Sequence, residues 1–341
     1  MSGAAAARRR SPWLAWALML LPLLAQAAGE AEARVWLERI RQAAGSLNYQ
    51  GTLVFSQGGS ISSSRVWHYC VGDQAYERLE AQDGRQQRIF RHNDEVRTLW
   101  PQSRVAVAER REAPAAWSTT PQRVDPRALE NYVWRAEGVA RVAGREAAVF
   151  LLEPRDTLRF AQRLWADQST GLMLRADVLD PAGPLLESTA FSEIEIGVKP
   201  QPEKVLQTMR KVDAQGAAPK LDGQEGWRVL RPPQRRTQLE EEGWALREQI
   251  PGFALAGCMV RSLEASAGPA SVLQAVFTDG LTHVSLFIEP YREAKHRQGP
   301  PSQFGATAAL SQRRGEHWIT AVGDVPAATL RQFVDLLERR R

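Results

Sequence analysis

The chain has 341 residues, a formal net charge of +5, 43% hydrophobic and 24% charged residues, and two cysteines. That composition fits ordinary globular folding, excludes a disulfide-framework scaffold, and at this length favours two domains. Without Arg8, Arg9 and Arg10 the charge falls to about +2, not the concentrated basic excess of a nucleic-acid binder, so no nucleic-acid partner is expected.

Those three arginines precede an apolar run from Pro12 to Leu24 that closes on Ala25-Gln26-Ala27. The run is about 13 residues, against about 20 needed to cross a bilayer, so residues 1–27 are expected to be a cleavable secretory signal. No cysteine follows to carry a lipid anchor, and the mature chain is expected to be free in a bacterial periplasm. Ala33, Trp36, Leu37, Ile40, Ala44 and Leu47 then recur at spacings of three and four, which predicts a helix ending near Gly45.

From Tyr49 the period changes to two. Strands are predicted over 51–55, 64–69, 85–91, 95–100 and 104–109, then, after a polar, proline-punctuated stretch at 111–126, over 139–142, 146–153, 159–166, 171–179 and 185–196. In 171–179, Leu172, Leu174, Ala176 and Val178 alternate with Arg175 and Asp177, which predicts one buried and one wet face. Residues 213–226 are small, polar and without periodicity, so the chain divides into 28–212, a linker at 213–226, and 227–341.

The second unit reads as a small α+β layer with strands at 227–230, 259–263, 271–278, 282–289 and 318–322. It ends in a helix capped by Asp324 and Pro326, with Leu330, Phe333, Val334 and Leu337 on its apolar face. Segments 264–270 and 292–303 look mobile, and the second is basic.

The spacings that catalysis demands are missing: no His-Glu-x-x-His, no phosphate-cradling glycine loop, and no second glycine to complete a nucleophile elbow at Gly59-Ser60-Ile61-Ser62. His68 and Cys70 share a strand face with His92 near enough to raise a metal site, but packing explains a strand histidine beside a half-buried thiol, and no metal or cofactor is expected. Glu193 and Glu195 read as a solvated edge, and Asp279-Gly280 as a turn. Cys70 and Cys258 fit either one long-range bridge or two buried thiols. The chain is read as a binding protein and not an enzyme. Its many tryptophans, mostly core, leave a few for a groove.

Asn48-Tyr49-Gln50-Gly51-Thr52-Leu53-Val54-Phe55, Glu77-Arg78-Leu79 leading to Asp83-Gly84, and Arg163-Leu164-Trp165-Ala166-Asp167 before Gly171-Leu172 resemble the RseB/MucB family. Ile250-Pro251-Gly252-Phe253, Phe277-Thr278-Asp279-Gly280-Leu281 and Val322-Gly323-Asp324-Val325-Pro326 continue the resemblance through the second unit. It implies an α+β, two-domain fold: an N-terminal unclosed antiparallel β-barrel with a helix, similar to lipoprotein carriers such as LolA, and a smaller C-terminal domain. It also implies binding to the periplasmic segment of a membrane anti-sigma factor (RseA or MucA), shielding it from a site-1 protease, with relief by lipopolysaccharide-type lipid. The alternative is a periplasmic lipid or lipoprotein carrier, and a homodimer is left open.

A half-barrel offers acyl chains a dry trough worth about 0.8 kcal/mol per buried methylene. Phe55, Trp67, Leu99, Trp165 and Leu174 are the residues expected to line it. Arg292, Lys295 and Arg297 of the basic loop are the expected contacts with the anti-sigma segment.

Overall fold

The computed structural model describes residues 31–110, 128–217, 226–262 and 271–340. The signal reading at 1–27, the stretch 111–126 and the segment 264–270 lie outside the described residues. Helix α1 spans 31–46. It is followed by β1 (Tyr49–Gln57), β2 (Ser60–Val71), β3 (Gln74–Ala81), β4 (Arg88–His92), β5 (Glu95–Trp100) and β6 (Val105–Arg110). One helical turn, α2 (Ala128–Asn131), leads into β7 (Tyr132–Val142), β8 (Arg145–Pro154), β9 (Ala161–Asp167), β10 (Met173–Leu179) and β11 (Leu185–Ile196). Helix α3 (Pro202–Ala217) and strand β12 (Arg228–Leu230) complete this first unit.

These strands form one 12-stranded sheet in the order β12-β6-β5-β4-β3-β2-β1-β11-β10-β9-β8-β7. Its two edges, β12 and β7, do not pair, so the sheet is unclosed, as expected. Pairing is antiparallel throughout except β12 on β6, which is parallel. Irregularities at Thr52/Leu53, Met173/Arg175 and Ala136/Gly138 add the local twist that coils so wide a sheet.

Helix α1 buries Ala33, Leu37, Ile40 and Ala43, at the spacing its sequence predicts, with Ala43 in place of Ala44. Its first half packs on Phe150, Leu164 and Met173, and Ala43 joins Leu53, Trp165, Leu174 and Phe191. Helix α3 was not among the predicted elements. Val205, Met209 and Val212 recur every three or four residues after Pro202, and they bury against Tyr69, Phe90 and Leu99 at the other half of the sheet.

The second unit contains β13 (Gln234–Arg236), β15 (Ala254–Ser262), β16 (Ser271–Thr278), β17 (His283–Pro290), β18 (Ser302–Phe304), β19 (Thr307–Arg314) and β20 (His317–Gly323). They form a seven-stranded antiparallel sheet in the order β13-β15-β16-β17-β20-β19-β18. Helix α4 (Ala327–Leu336) lies on it with Leu330, Phe333 and Val334 fully buried. Strand β14 (Trp244–Leu246) pairs with the terminal β21 (Leu337–Arg339).

Five of the expectations meet a different arrangement here. The first five residues of the 213–226 linker continue α3, and 228–230, assigned to the second unit, is an edge strand of the first sheet. Asp324 does not cap α4: its carboxylate accepts from Thr307 Oγ1 at 2.7 Å, and Pro326 holds the N-cap without a side-chain bond. Leu337 belongs to β21 rather than to the helix, though it is buried as expected. The Arg175/Asp177 face of β10 is not wet, because Asp177 is 4% exposed and accepts from Arg175 at 2.6 Å and from Ser188 at 2.7 Å.

Candidate functional site

The two units meet along a seam built around one buried arginine. Arg159 sits between β8 and β9 and is 0% exposed. Its Nη1 donates to Asp279 Oδ2 at 2.9 Å, Nη2 to the Pro251 carbonyl at 2.6 Å, and Nε to Asp156 Oδ1 at 3.1 Å. The guanidinium also lies 4.9 Å from the Phe253 ring centre. Asp279, in the β16–β17 turn of the other unit, further accepts from Tyr132 Oη at 3.2 Å and from the backbone N–H groups of Leu281 and Thr282 at 2.9 and 2.8 Å. A buried charge pair persists only when its remaining hydrogen-bonding capacity is met in this way.

Gly252 lets the chain approach: with φ at +78°, it leaves no room for a Cβ, which would fall 2.2 Å from Asn131 Oδ1. Next to Arg159, Leu158 enters the core of the second unit, and its carbonyl accepts from Thr329 Oγ1 of α4 at 2.8 Å. Sequence alone had placed Arg159 in a strand and Asp279 in a turn. A basic residue next to Phe160 and an acidic one in a β-hairpin turn carry no signal that they meet across units.

A second contact lies at the far end of β1. Gln57 Nε2 donates to the Phe304 carbonyl at 2.7 Å and approaches Glu187 Oε2 at 3.1 Å. Burial first, and then the negative charge of Asp324, push the Glu187 carboxyl up to about 7. The unfolded chain therefore loses this proton at lower pH than the folded chain does. Stability is expected to fall as pH rises from about 4.5 to about 7 and then to level off. Glu187→Gln keeps an acceptor for Gln57 and removes the charge, so it should raise stability above pH 7 by about 1–2 kcal/mol, after screening of a half-buried group, and change little at pH 4. Urea unfolding of both proteins at pH 4 and pH 8 measures the difference.

A third contact ties β6 to the second sheet: Arg261 Nη1 meets Glu109 Oε2 at 3.1 Å, and Gln234 Oε1 accepts from the backbone of Arg110 at 3.3 Å.

The five residues expected to line a trough fall into separate places. Trp165 and Leu174 share the core cluster that α1 covers, and Arg175 lies over the Trp165 ring at 4.4 Å. Leu99 is buried under α3, and Trp67 packs at the margin of the same cluster. Phe55 is half-buried and belongs to neither cluster. A cleft of about 120 Å³ opens between α3 and the sheet, lined by Gln50, Trp67, Tyr69, Arg78, Lys204 and Val205 among others. Arg78 stacks on Trp67 at 4.5 Å and is bonded to Glu80.

The basic loop, expected to be mobile, carries contacts of its own. His296, 7% exposed, stacks on Trp318 at 5.0 Å and accepts at Nδ1 from the Arg292 backbone at 3.0 Å, pinning the turn. Lys295 is paired with Glu289 at 2.7 Å, while Arg297 is exposed. Of the residues weighed as metal ligands, His68 and Cys70 come together and His92 does not: it stacks on Tyr76 at 4.7 Å and bonds Gln74. Glu193 pairs with Arg65 and Thr52, and Glu195 with Gln50. Both cysteines are free, in different sheets.

Residues 32–209 match the MucB/RseB N-terminal domain and residues 238–338 the MucB/RseB C-terminal domain. Among curated relatives, the sigma factor AlgU regulatory protein MucB of Pseudomonas aeruginosa is 32% identical, covering 92% of this chain and 93% of its own. The sigma-E factor regulatory protein RseB of Haemophilus influenzae is 24% identical over 96% of this chain and 97% of its own. A crystal structure of MucB in complex with MucA(peri) superposes with a TM-score of 0.64 and 26% identity, covering 91% of this chain and 99% of that one. With both domain types present in order on the two sheets, and a relative alike over nearly its whole length, the chain belongs to the MucB/RseB family.

Proposed function

We propose that this chain is a periplasmic negative regulator of a sigma-E-type stress response. It binds the periplasmic segment of a membrane anti-sigma factor of the RseA/MucA kind, shields it from site-1 protease, and releases it when lipopolysaccharide-type lipid binds. The observation that carries the reading is the solved relative bound to MucA(peri), alike over 91% of this chain at 26% identity. The seam adds support: with Arg159 buried among groups of both units, a partner laid across them meets one continuous surface. Arg292 and Arg297 are the proposed partner contacts, with Lys295 held beside them by Glu289.

For the lipid, Arg78 and Lys204 in the lining of the cleft supply cations for phosphates. Its volume of about 120 Å³ holds on the order of four waters at about 30 Å³ each, well short of an acyl chain. In this reading lipid enters as α3 lifts from Tyr69, Phe90 and Leu99, which gives Trp67 and Leu99 their trough role.

The test is proteolysis of the purified anti-sigma periplasmic segment by its site-1 protease, with and without the mature chain, lipopolysaccharide being added last. Protection that lipid reverses is the expected result. No protection at high protein concentration would overturn the reading and favour a lipid or lipoprotein carrier.

A further inference from the structure

One row of side chains crosses four neighbouring strands without a place in the function above. In register across β1, β2, β3 and β4 stand Tyr49, His68, Glu77 and Arg91. Cys70 follows His68 by two residues on β2 and so projects from the same face. His68 Nε2 lies 3.3 Å from Cys70 Sγ, and its Nδ1 lies 3.1 Å from Glu77 Oε1. Glu77 is flanked in turn by Arg91 Nη1 at 3.6 Å. The Tyr49 ring stacks on the imidazole at 4.9 Å and nearly parallel, which fixes its plane. A nucleophilic atom, a base within reach and a carboxylate that orients the base are the three parts of an activated-nucleophile site.

The surroundings of the sulfur fit that role. Cys70 lies near the end of β2, past the start of β1, where its backbone N–H donates to Asn48 Oδ1 at 2.8 Å, and the residue is half-buried. His68 is 4% exposed. Burial pushes its imidazolium down, but hydrogen bonds to Cys70 and Glu77 outweigh that and raise it to about 9, which keeps a cation against the sulfur near neutral pH. The other cysteine has no histidine beside it among the described residues. Cys258 is buried in the second core, with its thiol pushed up to about 11 by burial and then by Glu242.

We propose that Cys70, His68 and Glu77 form a reactive-thiol site at which a small peroxide is reduced and Cys70 is converted to a sulfenic acid. The Cys70 thiolate attacks one peroxide oxygen; an S–O bond forms as the O–O bond breaks. The leaving hydroxide takes a proton from the His68 imidazolium and departs as water. Sulfur loses two electrons, the peroxide gains them, and Glu77 holds the ring throughout. Cys70 is thereby a redox modification site in the N-terminal sheet.

Two measurements on the mature chain test this. In the first, alkylation by iodoacetamide is followed by peptide mass at each cysteine from pH 6 to pH 8, for folded protein and for protein in urea. With the His68 imidazolium beside the sulfur, the rate at folded Cys70 should rise less steeply with pH than the rate in urea, where an ordinary thiol gains about tenfold per pH unit. In the second, hydrogen peroxide with dimedone trapping should label Cys70 at least about tenfold faster than Cys258, and His68→Gln should lower that rate about tenfold. A folded Cys70 that tracks the urea profile, or labels no faster than Cys258, would overturn the proposal. The alkylation profile needs no variant, so it decides the matter even if His68→Gln fails to fold.

Discussion

Replacing Arg159 by methionine is expected to destabilise the protein by about 3–5 kcal/mol, the usual cost of removing one partner from a buried ion pair. Methionine fills much of the space that the arginine stem occupies beside Phe253, so the loss is one of charge and hydrogen bonds more than of packing. Asp279, 3% exposed, would keep Tyr132 and two backbone donors but lose its cation, and the Pro251 carbonyl would lose its donor. The double replacement Arg159→Met with Asp279→Leu should recover part of the stability, because an apolar pair leaves no stranded charge. Urea unfolding followed by tryptophan fluorescence reads the three proteins together. A loss under about 1 kcal/mol for Arg159→Met would mean that water reaches Asp279 once the arginine is gone, and the seam would then be a weak contact.

The second large effect is expected at α3. Met209 is 4% exposed and packs with Tyr69, Phe90 and Leu99. Met209→Asp forces a carboxylate into that contact at a cost on the order of 2–3 kcal/mol, which the chain avoids by letting α3 lift. The far end of the helix stays tethered, since Asp213 is held by Arg97 at 3.1 Å and by Arg231 at 3.2 Å. If lipid binds the lifted arrangement, its apparent dissociation constant is the intrinsic one divided by the fraction of chains already in it, so a larger lifted fraction tightens binding. The lipopolysaccharide concentration that half-reverses protease protection should therefore drop by at least about tenfold, and an apolar dye should brighten on the variant before lipid is added. An unchanged half-reversal point in a folded variant that does bind the dye would show that lipid acts elsewhere than beneath α3.

How far the sequence could be read depended on whether the deciding contacts were local. The α1 stripe at Ala33, Leu37 and Ile40 was legible because a helix gathers residues three and four apart onto one face. The same spacing at Val205, Met209 and Val212 is hard to read because these residues and Leu206 are scattered among charged and polar ones, with Pro202 as the other signal. The trough residues were chosen for alternation along strands. Alternation says which residues share a face, not which helix covers it, and α3 covers Leu99. Cys70 and His68 were paired correctly from period two alone, whereas Glu77 joined them only through the β2–β3 register.

By itself the sequence determined the strand-rich, two-sheet character of the protein, the helix at each end, and the family to which its ordered motifs point, because each rests on periods and spacings written along the chain. Tertiary structure alone decided where the units join, what fills the half-barrel, and which charges are buried. Arg159 and Asp279 stand 120 positions apart. No local pattern marks such a pair, since the energy that holds them together exists only once both are removed from water.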